Sequence, residues 1–196
     1  METCTATGEH ERLSAWFAAA TSSPAESIAA WRLTPHNPRR LSTGITFDVV
    51  LAERSLVELT YEILRRYEQT LGPAIRFTNL TTVAVLVPPG TATRWSGLVA
   101  NSTWSDHKAI PVCIGRGHAI RIPGSSPAAS GVPVEWLQAP STDSAIGGAP
   151  LLTSPVPLVR CLAEARSLLA PDDERSPLSR AVSAVRAVIR SPQRMR

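Results

Sequence analysis

Lysine is nearly missing from this sequence: Lys108 is the single lysine among 20 lysine and arginine residues. Cysteine is also scarce. Cys4, Cys113 and Cys161 stand far apart and form neither a C-x-x-C pair nor a cluster with histidine, which excludes the usual ligand sets of structural zinc sites. We expect these thiols to be reduced in a cytoplasmic protein.

Long apolar runs and several enzyme motifs are missing as well. No run approaches the ~20 apolar residues that a membrane helix needs, and the N-terminus lacks the basic and apolar regions of a secretory signal. The sequence has no P-loop or dinucleotide-binding glycine loop, no G-x-S-x-G and no H-E-x-x-H. We therefore expect a soluble protein without a membrane partner.

The chain does have an excess of arginine near its C-terminus. Its net charge is +4. Residues 1–150 hold equal numbers of basic and acidic residues, so the whole excess lies in residues 151–196. A basic segment on a neutral domain indicates a polyanionic partner, with GC-rich coding as the other explanation for the arginines. We divide the chain into N-terminal helices (1–30), an α/β domain (31–150) and a basic helical extension (151–196).

Asp48 is the most informative residue. Ile45, Phe47 and Val49 alternate with more polar positions, which predicts a strand over residues 45–50. A carboxylate inside such a strand costs free energy unless it is exposed at a cleft, paired or bound to a cation. We expect Asp48 to be partly accessible at the rim of a concave surface, near Arg116 or Arg121.

The remaining periodicity predicts an α+β fold with a mixed or antiparallel sheet and flanking helices. The helix at 54–71 is expected to pack on the sheet through Leu56, Leu59, Ile63 and Tyr67. The predicted helices cover residues 9–21, 24–31, 54–71, 92–100, 155–170 and 177–190. The predicted strands cover residues 45–50, 74–77, 82–87, 110–114, 118–122 and 134–137.

Two loops carry arginines of the kind that bind phosphate. The prolines of residues 34–44 predict a segment without regular structure, just before the Asp48 strand. Gly115-Arg116-Gly117 predicts a tight hairpin turn between the strands at 110–114 and 118–122. Ordinary solvated loops are the alternative. The candidate nucleic-acid- or nucleotide-binding residues are Arg39, Arg40, Arg116, His118, Arg121, Arg186 and Arg190.

The last predicted helix has two faces. Leu178, Val182, Val185 and Ile189 form an apolar stripe, and Arg186 and Arg190 lie off it. This helix is predicted to bind nucleic acid through its arginines, or to dock through its stripe on the domain or on a second copy of the chain, which would make a homodimer.

Two segments resemble the N-terminal domain of bifunctional DNA primase/polymerases, the prim-pol members of the archaeo-eukaryotic primase superfamily. Residues 31–50 match W-x3-P-x-N-x6-G-x3-D-V-V, and residues 115–140 (GRGHAIRIPGSSPAASGVPVEWLQAP) are similar to the family's glycine-, proline- and tryptophan-containing run. The resemblance implies a primase/polymerase-like fold with an RRM-like core. It also implies that Asp48 is a catalytic ligand of Mg²⁺ or Mn²⁺.

The catalytic set of that family is incomplete here. Two carboxylates at positions i and i+2 of a strand share a face and can hold two cations. Here the residue two positions after Asp48 is Val50, which has no carboxylate. We therefore expect a degenerate domain that binds nucleic acid or nucleotide without catalysis. One alternative is an active, metal-dependent primase/polymerase that uses Asp48, Glu53 and either Asp106 or His107. The other is a non-enzymatic dimerisation module.

Overall fold

The computed structural model describes residues 3–104, 110–124, 133–141 and 149–170, with the backbone alone for residues 3–10. Five helices and seven strands lie in these ranges. The helices are α1 (Thr3–Ala18), α2 (Pro24–Leu33), α3 (Arg54–Arg66), α4 (Thr91–Ala100) and α5 (Pro155–Leu169). The strands are β1 (Arg39–Ser42), β2 (Asp48–Glu53), β3 (Ala74–Phe77), β4 (Thr82–Val87), β5 (Val112–Ile114), β6 (Ala119–Ile122) and β7 (Val134–Gln138).

The strands form two antiparallel sheets. Five of them lie in the order β5-β2-β4-β3-β7, while β1 and β6 form a separate two-stranded ribbon. β2 pairs with β4 from Asp48 opposite Val87 to Glu53 opposite Thr82, and its other edge pairs with β5. The predicted α+β class, with an antiparallel sheet and flanking helices, is confirmed.

Both faces of the five-stranded sheet are buried, and the alternation along each strand divides its residues between two cores. Val50 and Val85 belong to the core that includes residues of α3, α4 and α5. Val49 and Leu86 belong to the core that includes Phe17 of α1 and the apolar side of the ribbon. α5 lies beyond the sequence-based boundary at residue 150 and packs against α3 in the first core.

The apolar face of α3 packs on the sheet as predicted. Leu56 and Ile63 are buried, and Leu59 is partly buried against the same cluster. Tyr67 was expected on this face but is 52% exposed, because the helix ends one residue before it. Glu68 has a φ of 53°, a left-handed conformation that ends helices. The longer helix predicted from the sequence is therefore wrong at its C-terminal end.

The Asp48 strand begins later than predicted. Gly44 has a φ of 85°, and its N–H donates a 2.7 Å hydrogen bond to the carbonyl of Phe47, so residues 44–47 form a tight turn. Ile45 lies in this turn and is 54% exposed. The predicted strand at 45–50 is replaced by β2, which continues to Glu53.

Two predictions around the ribbon are wrong. Residues 34–44 were expected to lack regular structure, yet they contain β1, whose buried and exposed residues alternate. The predicted hairpin of 110–114 with 118–122 does not form, because β5 pairs with β2 and β6 pairs with β1. The turn at 115–117 instead carries the chain from the sheet to the ribbon, and Gly117 has the positive φ of 91° that such a turn favours.

None of the helices in the described ranges is both long and apolar enough to cross a membrane. The predicted helix at 177–190, with its apolar stripe and its arginines, lies outside the described residues.

Tyr61 makes the stability of the fold sensitive to alkaline pH. It is 2% exposed, and its hydroxyl donates a 3.0 Å hydrogen bond to the carbonyl of Gly72. Burial raises the pKa of Tyr61 from 10.0 to about 12. The unfolded chain loses this proton near pH 10, so the contribution is complete below pH 10 and is lost as the pH rises to 12. The ionisation of Tyr61 alone is expected to lower the free energy of unfolding by about 3 kcal/mol over this interval.

Urea unfolding across that pH range checks this prediction. Tyr61→Phe lacks the ionisable hydroxyl and is expected to show a clearly smaller fall. Tyr67→Phe, at an exposed tyrosine, is the matched control and should behave like the native chain. Equal falls in all three proteins would contradict the assignment to Tyr61.

Candidate functional site

Asp48 caps a helix. It is the first residue of β2 and is 1% exposed. Its Oδ2 accepts a 2.8 Å hydrogen bond from the backbone N–H of Ala92, in the first turn of α4. The first N–H groups of a helix lack an intrahelical acceptor and carry the positive end of its dipole. Gly90, at the N-cap position, has no side chain to supply an acceptor, so the carboxylate of Asp48 supplies it from a distant strand.

The expectation that Asp48 is partly accessible is wrong. Its carboxylate is buried, and it forms no ion pair within the described part of the chain. Its Oδ1 is buried and meets no hydrogen-bond donor there. Gly115 makes room for this oxygen, since a Cβ on that glycine would lie 3.1 Å from Oδ1 and 2.8 Å from the Cβ of Ala92.

Cys113 lies on β5, beside Asp48. Burial and the charge of Asp48 raise the pKa of the Cys113 thiol to about 12. The thiol therefore stays protonated at neutral pH, and a protonated thiol is neither a good nucleophile nor a metal ligand. The neighbourhood of Asp48 is suited to packing rather than to covalent chemistry.

The carboxylates of β2 are not arranged for two cations. Asp48 and Glu53 stand at opposite ends of the strand, about 16 Å apart at the usual rise per residue. Glu53 is exposed and its Oε2 accepts a hydrogen bond from the hydroxyl of Ser55. In the ranges that the structure describes, no group of three or more His, Cys, Asp or Glu side chains is placed to hold a metal ion. Asp106 and His107 lie outside these ranges.

The ribbon of β1 and β6 brings several of the predicted basic residues together. Arg40 lies directly opposite Arg121 in the antiparallel register, and both side chains are exposed. Arg116 and His118, in the turn that leads into β6, are also exposed. We call these four residues the cationic ribbon. Residues 34–47 and 110–124 contain no acidic residue, so the local field is positive.

Contacts from Thr43 and Gly44, the two residues after β1, hold the turn at residues 115–118 in place. The N–H of Thr43 donates a 3.0 Å hydrogen bond to the carbonyl of His118, and its hydroxyl donates one to the carbonyl of Gly115. Gly44 packs so closely on the backbone of Arg116 that an added Cβ would lie 2.3 Å from the Arg116 nitrogen. The position of Arg116 thus depends on a glycine at residue 44.

Arg39 is separated from its neighbour Arg40. Successive strand residues point to opposite faces, and Arg39 is 6% exposed on the inner face of the ribbon. Its guanidinium lies 4.1 Å from the centre of the Trp31 ring, in cation–π geometry. Burial lowers the pKa of Arg39 to about 10, so it still carries its charge at neutral pH. The sequence analysis placed Arg39 and Arg40 in one phosphate-binding loop, but the structure puts their side chains on opposite faces of β1.

Sequence reasoning missed the partners of Asp48. Ala92 and Gly115 have no side-chain chemistry of their own, and they meet Asp48 only in three dimensions. No local signal pointed to them, because the P-P-G-T run before α4 contains Thr91, a residue type that can cap a helix itself. The remaining predicted residues, Arg186 and Arg190, lie outside the described residues.

The candidate site therefore has two parts, a buried carboxylate engaged in capping and an exposed cationic ribbon. The two are joined through Gly115, which packs on Asp48 and begins the turn that holds Arg116. Comparisons of the chain with protein-family models, with curated proteins and with solved structures give no match.

Proposed function

We propose that this protein is a non-catalytic, nucleic-acid-binding accessory protein with a primase/polymerase-like domain, acting in the cytoplasm. The observation that carries the proposal is the cationic ribbon, in which Arg40 and Arg121 stand side by side and exposed, in two segments (34–47 and 110–124) that contain no acidic residue. Guanidinium groups bind phosphate oxygens through paired N–H donors. DNA is the partner that we propose.

The exposed face of the ribbon favours contacts with the phosphate backbone over contacts with bases. Its strand positions are Arg40, Ser42, Ala119 and Arg121. None of them is aromatic, so they lack the rings on which successive bases stack in single-strand-binding proteins. Contacts to phosphate carry no sequence information. Binding should therefore depend strongly on salt and weakly on sequence.

The use of Asp48 supports a role without catalysis. Nucleotidyl transfer by two metal ions needs carboxylates that hold both cations a few ångströms apart. Asp48 is engaged by the N–H of Ala92, and Val50, at the position two residues further, is fully buried. Mg²⁺ or Mn²⁺ is therefore not part of the proposed function.

Two measurements test the proposal. Fluorescence anisotropy of labelled DNA, from about 50 to about 200 mM salt, should give a slope of log K against log salt near −2.7 if three arginines each meet a phosphate. Primer synthesis in the presence of Mg²⁺ or Mn²⁺ should not exceed the level without protein. An absence of DNA binding at the lowest salt would refute the binding role. Metal-dependent primer synthesis would show instead that the enzyme alternative is correct.

A further inference from the structure

A large cavity lies at the end of α5. It has a volume of about 590 Å³ and is enclosed by the C-terminal ends of β2 and α5 and by the beginning of β5. Most of the residues that line it are apolar, and Glu53 and Arg166 are the charged ones. The lining residues used below are Leu56, Ile110, Val112 and Leu169.

The apolar wall of this cavity is open to solvent. Val112 is 58% exposed and Leu169 is 41% exposed, and both line the same cavity. Single exposed aliphatic side chains are common, but an exposed apolar patch around a groove marks a surface that binds another apolar body. Leu56 belongs to the first core and Ile110 packs against it. An apolar body in the cavity would therefore extend that core.

The chain itself supplies such a body. α5 ends at Leu169, in the wall of the cavity, and residues 171–196 follow from there, outside the described residues. The sequence predicts a helix over residues 177–190, with the apolar stripe of Leu178, Val182, Val185 and Ile189. The connecting residues 171–176 span at most about 20 Å when extended, so the predicted helix can turn back over the cavity. A tether of this length gives an effective concentration in the millimolar range, so a weak contact is sufficient.

We propose that the helix predicted over residues 177–190 docks in this cavity through its apolar stripe, as part of the same molecule, with Arg186 and Arg190 facing solvent. A helix of about 14 residues is marginal by itself in water, so docking stabilises it. Of the alternatives that the sequence leaves open for this helix, the cavity favours docking on the domain. The inference does not rest on the proposed nucleic-acid function, since the cavity and the cationic ribbon share no residue.

Hydrogen exchange of the full chain, measured by mass spectrometry, tests the proposal. The amides of residues 178–189 should exchange at least about tenfold more slowly than those of an unstructured peptide. Val112→Asp places a charge in the apolar wall and should remove this protection. Leu33→Asp adds the same charge at a side chain of α2 that is 84% exposed. It is the matched control and should leave the protection unchanged.

Further variants keep the test decisive if Val112→Asp does not fold, as judged by circular dichroism. Leu169→Asp changes another exposed part of the same wall and should also remove the protection. Val185→Asp changes the apolar stripe itself and should release the same amides. Ser183→Asp, on the opposite face of the predicted helix, is the control for that variant and should have no such effect.

Four results would overturn the proposal. The first is unprotected amides at residues 178–189 in the native chain, and the second is protection that survives in a folded Val112→Asp or Leu169→Asp variant. The third is protection that appears only when duplex DNA is added, which would identify nucleic acid as the partner of this helix. The fourth is protection that rises with protein concentration together with a dimer in sedimentation, which would identify a second copy of the chain.

Discussion

Replacing both Arg40 and Arg121 by alanine is expected to lower the affinity for duplex DNA about a hundredfold near 0.1 M salt. The two side chains are opposite each other on the exposed face of the ribbon, so they are placed to meet the same or adjacent phosphates. At an exposed site a hydrogen bond to a charged group contributes about 1.5 kcal/mol, at the lower end of its usual range, and the loss of two corresponds to about a hundredfold. The slope of log K against log salt should also become shallower by about 1.8, because two phosphate contacts no longer release counterions.

A charge-matched control distinguishes the ribbon from the general field of the protein. Arg65 and Arg66 are both exposed at the end of α3, on the helical side of the sheet. Replacing both by alanine changes the net charge by the same amount and should lower the affinity only a fewfold. If the two double variants lose affinity equally, the cationic ribbon is not the binding surface. Anisotropy titrations at several salt concentrations provide both quantities.

Replacing Asp48 by alanine should lower the free energy of unfolding by about 2 kcal/mol. The loss is that of a helix cap, and it lies at the upper end of the usual range because the partly buried N–H of Ala92 is left without an acceptor. Asp48→Asn keeps a side-chain oxygen that accepts the same hydrogen bond, so its loss should be at most about 1 kcal/mol. Urea unfolding of the two variants measures the difference directly.

Two controls separate capping from metal binding. Glu53→Ala removes the other carboxylate of β2, which is exposed, and should change stability by no more than about 0.5 kcal/mol. Millimolar Mg²⁺ should leave the thermal midpoint of the native protein unchanged, because a ligand that binds the folded state raises it. A midpoint that rises with Mg²⁺ in the native chain but not in Asp48→Asn would mean that Asp48 is a metal ligand.

The elements that the sequence predicts best are those whose signals are local. β3 and β4 have their predicted bounds, because turn residues at 78–81 and Pro88 enclose them and β4 is rich in β-branched residues. α5 begins at the predicted proline. Here propensity, pattern and turn chemistry agree, and no distant contact is needed to decide the structure.

The elements that it predicts poorly depend on partners far away in the chain. β1 lies among prolines and becomes a strand because β6 pairs with it. The Gly-Arg-Gly turn predicted a hairpin of β5 with β6, but β5 pairs with the edge of β2 instead. The role of Asp48 has the same origin, since Ala92 lies 44 residues further along the chain. The sequence pattern indicates that a carboxylate at residue 48 is unusual in a strand. Its contact with Ala92 can be identified only from the three-dimensional structure.

The pairing of Arg40 with Arg121 has a consequence for the ribbon itself. Like charges directly opposite each other on two strands destabilise the pair of strands. A two-stranded ribbon is marginal in water and depends on its packing against the rest of the domain. At low ionic strength, the repulsion favours brief separation of β1 and β6 and faster exchange of their amide hydrogens. A bound phosphate neutralises both charges and opposes that opening, so the partner would complete the ribbon that binds it.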